Sequence, residues 1–153
     1  LELLVGKTEA GTALVENPGI PLISATGSTR MGRAIAPRAS ARFARLLLEL
    51  GGNAAMIVSP AADLDLAVRA ITFSAVGTAG QRCTTLRRLL VHETLYDRLV
   101  ERLSRVFETI RVGDPREAET LVGPLVDGDA FAAMQAALSQ AREHGASVIG
   151  GER

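Results

Sequence analysis

The chain holds a single cysteine, Cys83, in the stretch Gly77-Thr78-Ala79-Gly80-Gln81-Arg82-Cys83-Thr84-Thr85. A lone thiol serves either as a small buried hydrophobe or as a nucleophile, and on its own the stretch leaves both readings open. Gly77 and Gly80 permit close backbone approach and unusual dihedrals, which can hold a side chain tightly. Arg82 sets a fixed positive charge beside the thiol and favours thiolate while its guanidinium stays near. Thr84 and Thr85 add hydroxyls and N–H groups close to the sulfur.

A nucleophilic thiol needs a base. Glu49 is the one acid in the apolar run Leu46-Leu47-Leu48-Glu49-Leu50, which ends in Gly51-Gly52. Apolar neighbours disfavour the charged form of a carboxyl, so the setting suits a general base; the plainer alternative is a carboxylate pointing at solvent. His92 and His144 follow a strand-like run and close a helix, and both read as structural. A third feature is Thr26-Gly27-Ser28-Thr29-Arg30-Met31-Gly32-Arg33, a Gly-Ser turn between a strand and a helix. Free N–H groups and the helix dipole make such a turn an anion site, although a cap needs no ligand.

The elements that would position these residues alternate. Thr8 to Glu16 reads as a helix stopped by Asn17-Pro18-Gly19. Ile20 to Ala25 suits a buried strand, and Met31 to Arg45 a helix. Ala54 to Ser59 is a further short strand, closed by Pro60. Asp63 and Asp65 open a helix bearing Leu64, Leu66, Val68 and Ile71, with the acids where the dipole favours them. Leu86 to His92 is strand-like. Leu95, Leu99, Leu103, Val106 and Ile110 recur at helical spacing, and Val112-Gly113-Asp114-Pro115 breaks that helix. A last helix runs from about Asp129 to His144 with Phe131, Met134 and Leu138 on one face, and Ser147-Val148-Ile149 reads as a short final strand. The alternation makes the chain α/β.

Composition narrows the classes of function. The 153 residues are 47% hydrophobic and 22% charged, enough for a real core. Lys+Arg and Asp+Glu both number 17, so no charge excess draws the chain to nucleic acid or an anionic membrane. Aromatics are only 3%, too few for base-stacking platforms. One cysteine and two histidines make neither an internal disulfide nor a structural zinc site. No signal segment or apolar run near membrane-spanning length is visible, so a reduced, cytoplasmic setting without metal is expected. The chain starts at Leu1 and ends Gly150-Gly151-Glu152-Arg153, a turn that leads onward, and it reads as a piece of something longer.

ATGSTRMGR, LLLELGGN and GTAGQRCTT occur in this order, with Glu49 standing 34 positions before Cys83 (83 − 49). Together they resemble the NAD(P)-dependent aldehyde dehydrogenase superfamily over nearly the whole chain, including Val122-Gly123-Pro124-Leu125. ELGGN followed by AVGTAGQRCTT is most similar to the antiquitin branch, the α-aminoadipic semialdehyde (piperideine-6-carboxylate) dehydrogenases of lysine degradation. The resemblance implies the end of a Rossmann-type NAD-binding domain at residues 1–50 and the first part of the thiol-bearing catalytic domain at 51–153. It implies that Cys83 attacks an aldehyde to give a thiohemiacetal and then a thioester, and that Glu49 activates the hydrolytic water. The Cys83 backbone N–H would form half of an oxyanion hole. Gly27 and Ser28 would meet the cofactor pyrophosphate, Leu50 the nicotinamide, and Gly11 and Thr12 another part of the cofactor. Thr84 would lie against substrate, and Arg82 would hold a substrate carboxylate.

The family's oxyanion-hole asparagine, the first half of its cofactor fold, a second cofactor-binding glutamate and its oligomerisation arm match nothing in these residues. The residues that would separate NAD from NADP are likewise absent. Little or no dehydrogenase activity is therefore expected of the 153 residues alone, whereas the parent enzyme is expected to be a homo-oligomer acting on a small aldehyde. Two other readings stand beside this one: a non-catalytic remnant that self-associates, and a cofactor-independent thiol esterase.

Overall fold

A computed structural model describes residues 2–151; Glu152 and Arg153 of the closing turn lie outside the described residues. The chain divides into two compact units, the first ending at Gly52 and the second beginning at Asn53.

The first unit is a helix followed by a parallel β–α–β motif. Its elements are α1 (Thr8–Glu16), β1 (Leu22–Gly27), α2 (Thr29–Ala41) and β2 (Arg45–Leu50). The two strands pair in parallel from Leu22 with Arg45 to Gly27 with Leu50. Val15, Ile23 and Ala39 form the buried centre, with Ile20, Ala25, Ile35, Ala44 and Leu46 packed around it. Arg42 ties the ends of the two helices by donating from Nε to the Val15 carbonyl at 2.8 Å.

α2 starts two residues earlier and stops four residues sooner than the spacing predicts. Phe43 takes a left-handed backbone (φ 57), and its N–H and that of Ala44 turn back to the carbonyls of Ser40 and Ala39. That is a Schellman-type helix stop built without glycine, so no composition signal announces it.

The second unit contains β3 (Ala54–Val58), α3 (Leu64–Val76), β4 (Leu86–Val91), α4 (Tyr96–Glu108) and α5 (Gly128–Glu143). β3 and β4 pair in parallel across the α3 crossover, with Met56 opposite Leu89 and Val58 opposite Val91. Asp63 caps α3 by accepting from the N–H groups of Asp65 and Leu66 at 2.8 and 3.1 Å. Val58, Val68, Ile71, Leu95 and Leu99 make the core. Leu99 is wholly buried, which is worth about 1.5–3 kcal/mol relative to exposure.

Asp127 caps α5 through the N–H of Ala130, and Phe131, Met134 and Leu138 share its half-buried face. Ser147 to Ile149 is not a strand. A strand needs a partner's backbone, and among the described residues none lies alongside it.

Candidate active site

In the first unit both strands deliver their sequence motifs at their C-terminal ends, where open parallel sheets bind ligands. β1 runs out at Gly27, and Ser28 then caps α2, its Oγ accepting from the N–H of Met31 at 3.1 Å. β2 runs out at Leu50, with Glu49 paired to Thr26 and Leu50 to Gly27.

Alternation along β2 decides what Glu49 sees. Leu46, Leu48 and Leu50 are half-buried, whereas Arg45, Leu47 and Glu49 are exposed. The expectation that Leu48 and Leu50 surround the acid is corrected here. Successive side chains of a strand point to opposite faces, so the two leucines pack toward Gly32 of α2 and the carboxyl faces away from them.

Beside these strand ends lies a cleft of about 730 Å³ between α1 and α2, lined among others by Gly11, Thr12, Ser28, Arg30, Met31 and Ile35. Three of the residues singled out for cofactor contact, Gly11, Thr12 and Ser28, therefore share one cavity, while Gly27 and Leu50 are not among its lining residues. Lys7, Arg30 and Arg38 also line it. Arg38 is paired with Glu16 at 2.8 Å; neither Lys7 nor Arg30 has an ion-pair partner among the described residues. Sequence reasoning did not single out these cations, although a signal was there. The first turn of α2 holds Arg30 and no acid, the reverse of what a helix dipole favours unless an anion binds there. An apolar wall with a helix N-terminus and free cations fits a dinucleotide: a flat base on the apolar side, a pyrophosphate on the basic side.

Cys83 is exposed, on a loop of the second unit. The 3-10 turn Gly77–Gly80 leads into it, with Thr78, Ala79 and Gly80 all left-handed (φ 53, 54 and 71). Of the two glycines expected to supply unusual dihedrals, only Gly80 does so. Gly77 has φ −52, and a Cβ there would collide with the Arg82 guanidinium, so its contribution is close approach. Left-handed Thr78 and Ala79 each store about 1–3 kcal/mol and need surroundings that hold them.

Those surroundings are polar. The Gln81 N–H donates to the Thr78 carbonyl at 3.1 Å, and Arg87 donates to the Gly80 carbonyl at 2.8 Å. Gln81 also reaches from its side chain to Thr78, Pro124 and Val126. On the far side of the thiol Thr85 is buried, and its Oγ1 accepts from the Arg82 N–H at 3.1 Å. Thr84 is exposed beside the cysteine. Among the described residues no hydrogen bond engages the Cys83 backbone N–H.

The Arg82 side chain turns back onto α3. One guanidinium nitrogen donates to the Phe73 carbonyl at 2.9 Å, and the group lies 5.1 Å from the Phe73 ring centroid, while Nε is buried with no partner. A cation at the C-terminal end of a helix is well placed electrostatically.

Residues 1–153 match the model of the aldehyde dehydrogenase family, and the chain belongs to that family. It is 44% identical over 149 residues to the α-aminoadipic semialdehyde dehydrogenase of Bos taurus, covering 97% of this chain and 28% of that protein. It is 43% identical over 148 residues to the aldehyde dehydrogenase family 7 member A1 of Pisum sativum, covering 97% and 29%. Among solved structures it is similar to the lactaldehyde dehydrogenase of Escherichia coli, with TM-score 0.94 and 36% identity over 97% of this chain and 32% of that one. The betaine aldehyde dehydrogenase of Staphylococcus aureus in complex with NAD+ gives TM-score 0.94 and 28% identity over 99% and 30%. The chain thus spans less than a third of the length of these relatives.

Proposed function

We propose that these residues carry the thiol and the general base of an NAD(P)-dependent aldehyde dehydrogenase, acting on an amino-acid semialdehyde of the α-aminoadipic type. The observation that carries this reading is Cys83 itself, the single cysteine of these 153 residues, exposed on a loop whose backbone is hydrogen-bonded on both sides of it, at the Gly80 carbonyl and at the Thr85 N–H. Residues 1–50 then belong to the cofactor-binding domain and 51–153 to the catalytic domain.

The Cys83 thiolate forms a bond to the aldehyde carbon, and the carbonyl π pair moves onto oxygen to give a thiohemiacetal. The Cys83 N–H donates to that oxygen and stabilises its charge. When bound, the cofactor supplies the hydride acceptor that oxidises this carbon. A thioester to Cys83 results. Glu49 takes a proton from water as the water's oxygen bonds to the acyl carbon, and the C–S bond breaks to release the acid and restore the thiolate.

Ser28, Gly11, Thr12 and Arg30 hold the dinucleotide in the α1–α2 cleft, with Gly27 and Leu50 at the strand ends beside it. Thr84 and Arg82 are the substrate contacts. For Arg82 this means exchanging the Phe73 carbonyl for a substrate carboxylate. The assembled enzyme is a homo-oligomer of the cytoplasm, and the 153 residues alone turn over little or no aldehyde, because they hold a minority of the family's cofactor surface.

The test is aldehyde-dependent NADH formation by a chain of full family length carrying these residues. Activity that disappears in Cys83→Ser supports the reading; full activity in that variant overturns it.

A further inference from the structure

The Cys83 loop carries one side chain that the reaction above does not use and the fold does not require for its core. Gln81 is exposed, yet its carboxamide is fully engaged by backbone groups. Its Nε2 donates to the Thr78 carbonyl at 3.0 Å and to the Pro124 carbonyl at 3.4 Å, and its Oε1 accepts from the Val126 N–H at 2.8 Å. One amide thus addresses residues 124 and 126 as a neighbouring strand would, and clasps the left-handed turn with its remaining donor. The Thr78 carbonyl also accepts the Gln81 backbone N–H, so both bonds tighten the same turn.

The chain leading into that segment is held two residues before Pro124. Val122 is buried, pairs with Val112 and accepts from the Gly113 N–H at 3.0 Å. The 124–126 backbone, one amide and a strained turn that ends at Gly80, three positions ahead of the thiol, form a continuous link.

We propose that Gln81 is a positioning residue for the Cys83 thiol, fixing the left-handed turn to the 124–126 segment so that the sulfur is held at the angle of attack. This rests on the reading of Cys83 as nucleophile. Donor and acceptor are both needed: the two carbonyls require N–H groups, and the Val126 N–H requires an oxygen. Glutamate at this position keeps the shape and the acceptor but loses the donors while ionised. Protonation returns one donor, the O–H.

The experiment follows acylation of the thiol by p-nitrophenyl acetate in the full-length chain without cofactor. The thiolate bonds to the acetyl carbon, the ester C–O bond breaks, and p-nitrophenolate leaves in a burst. At mildly alkaline pH, Gln81→Ala and Gln81→Glu are expected to slow the burst about tenfold at full amplitude, as misplacement of a reacting group does. As pH falls toward roughly 5, where a glutamic acid begins to protonate, the ratio of the Gln81→Glu rate to the unsubstituted rate is expected to rise. The Gln81→Ala ratio stays level. A Gln81→Ala burst as fast as the unsubstituted protein's, or a Gln81→Glu ratio that does not change with pH, overturns the positioning role and leaves the nucleophile intact. Absence of any burst in the unsubstituted protein, matching Cys83→Ser, overturns the nucleophile and the positioning role together.

Discussion

Gly32 of α2 and Leu50 of β2 meet where no further atom fits. A Cβ at Gly32 would stand 2.7 Å from Leu50 Cδ1 and 3.0 Å from Cδ2. This closeness seats the helix on the end of the strand that carries Glu49, so the height of the strand end above the helix depends on a missing methyl group. Gly32→Ala is expected to lower stability by about 1 kcal/mol, an overpacking cost of about 1–3 kcal/mol offset by the roughly 1 kcal/mol that alanine gains over glycine inside a helix. Chemical denaturation read by circular dichroism measures it, and an unchanged midpoint would show that the leucine yields freely.

Glu49→Gln should separate the two halves of the reaction. In the proposed mechanism formation of the thioester needs Cys83, whereas its hydrolysis needs a base, so one equivalent of NADH per thiol should still form rapidly. Steady turnover should then fall by about 10²–10⁴-fold, the usual contribution of a general base. Rapid-mixing measurement of NADH decides the matter, and loss of the first turnover as well would place Glu49 in the attack step.

Arg82→Ala tests which of two partners the guanidinium serves. As a reader of substrate carboxylate, its removal raises KM for an amino-acid semialdehyde by roughly tenfold or more, in line with a charge-assisted bidentate pair. A simple aliphatic aldehyde should be affected far less. Equal losses on the two substrates would confine Arg82 to its bond with Phe73.

Asp63 makes the acid stability of the second unit partly a property of one cap. The N–H groups of Leu66 and Asp65 hold its carboxyl below the usual carboxylate range. A depressed value means the contribution is complete above the unfolded-state value and disappears as pH falls through the folded-state value. Asp63→Asn keeps a capping oxygen but does not titrate. Thermal midpoints measured from neutral to strongly acidic pH should therefore fall less steeply for the variant. Parallel curves would mean other carboxyls set the slope.

Local patterns made much of the fold legible from sequence. A short apolar run, a Gly-Ser turn and an alanine-rich helix gave β1, Ser28 as cap and α2, because each signal lies within a few residues of what it determines. The spacing of Leu99, Leu103 and Val106 likewise identified the buried face of α4. Features set by distant partners were not legible. Arg82 has a long side chain whose direction is chosen by Phe73, nine positions earlier in the chain (82 − 73). Thr78, Ala79 and Phe43 adopt left-handed backbones that their residue types disfavour, so composition points elsewhere. Ser147-Val148-Ile149 has the right residues for a strand, but among the described residues no backbone lies alongside to pair with it.

The two faces of β2 divide responsibilities between odd and even positions. Leu46, Leu48 and Leu50 answer to the helix above them, while Arg45, Leu47 and Glu49 answer to whatever lies on the other side. Substitutions that adjust bulk under α2 and substitutions that adjust the chemistry of the carboxyl therefore fall on interleaved residues and need not interfere. A six-residue strand in this arrangement lets a lineage retune its fold without disturbing its carboxyl, or its carboxyl without loosening its fold.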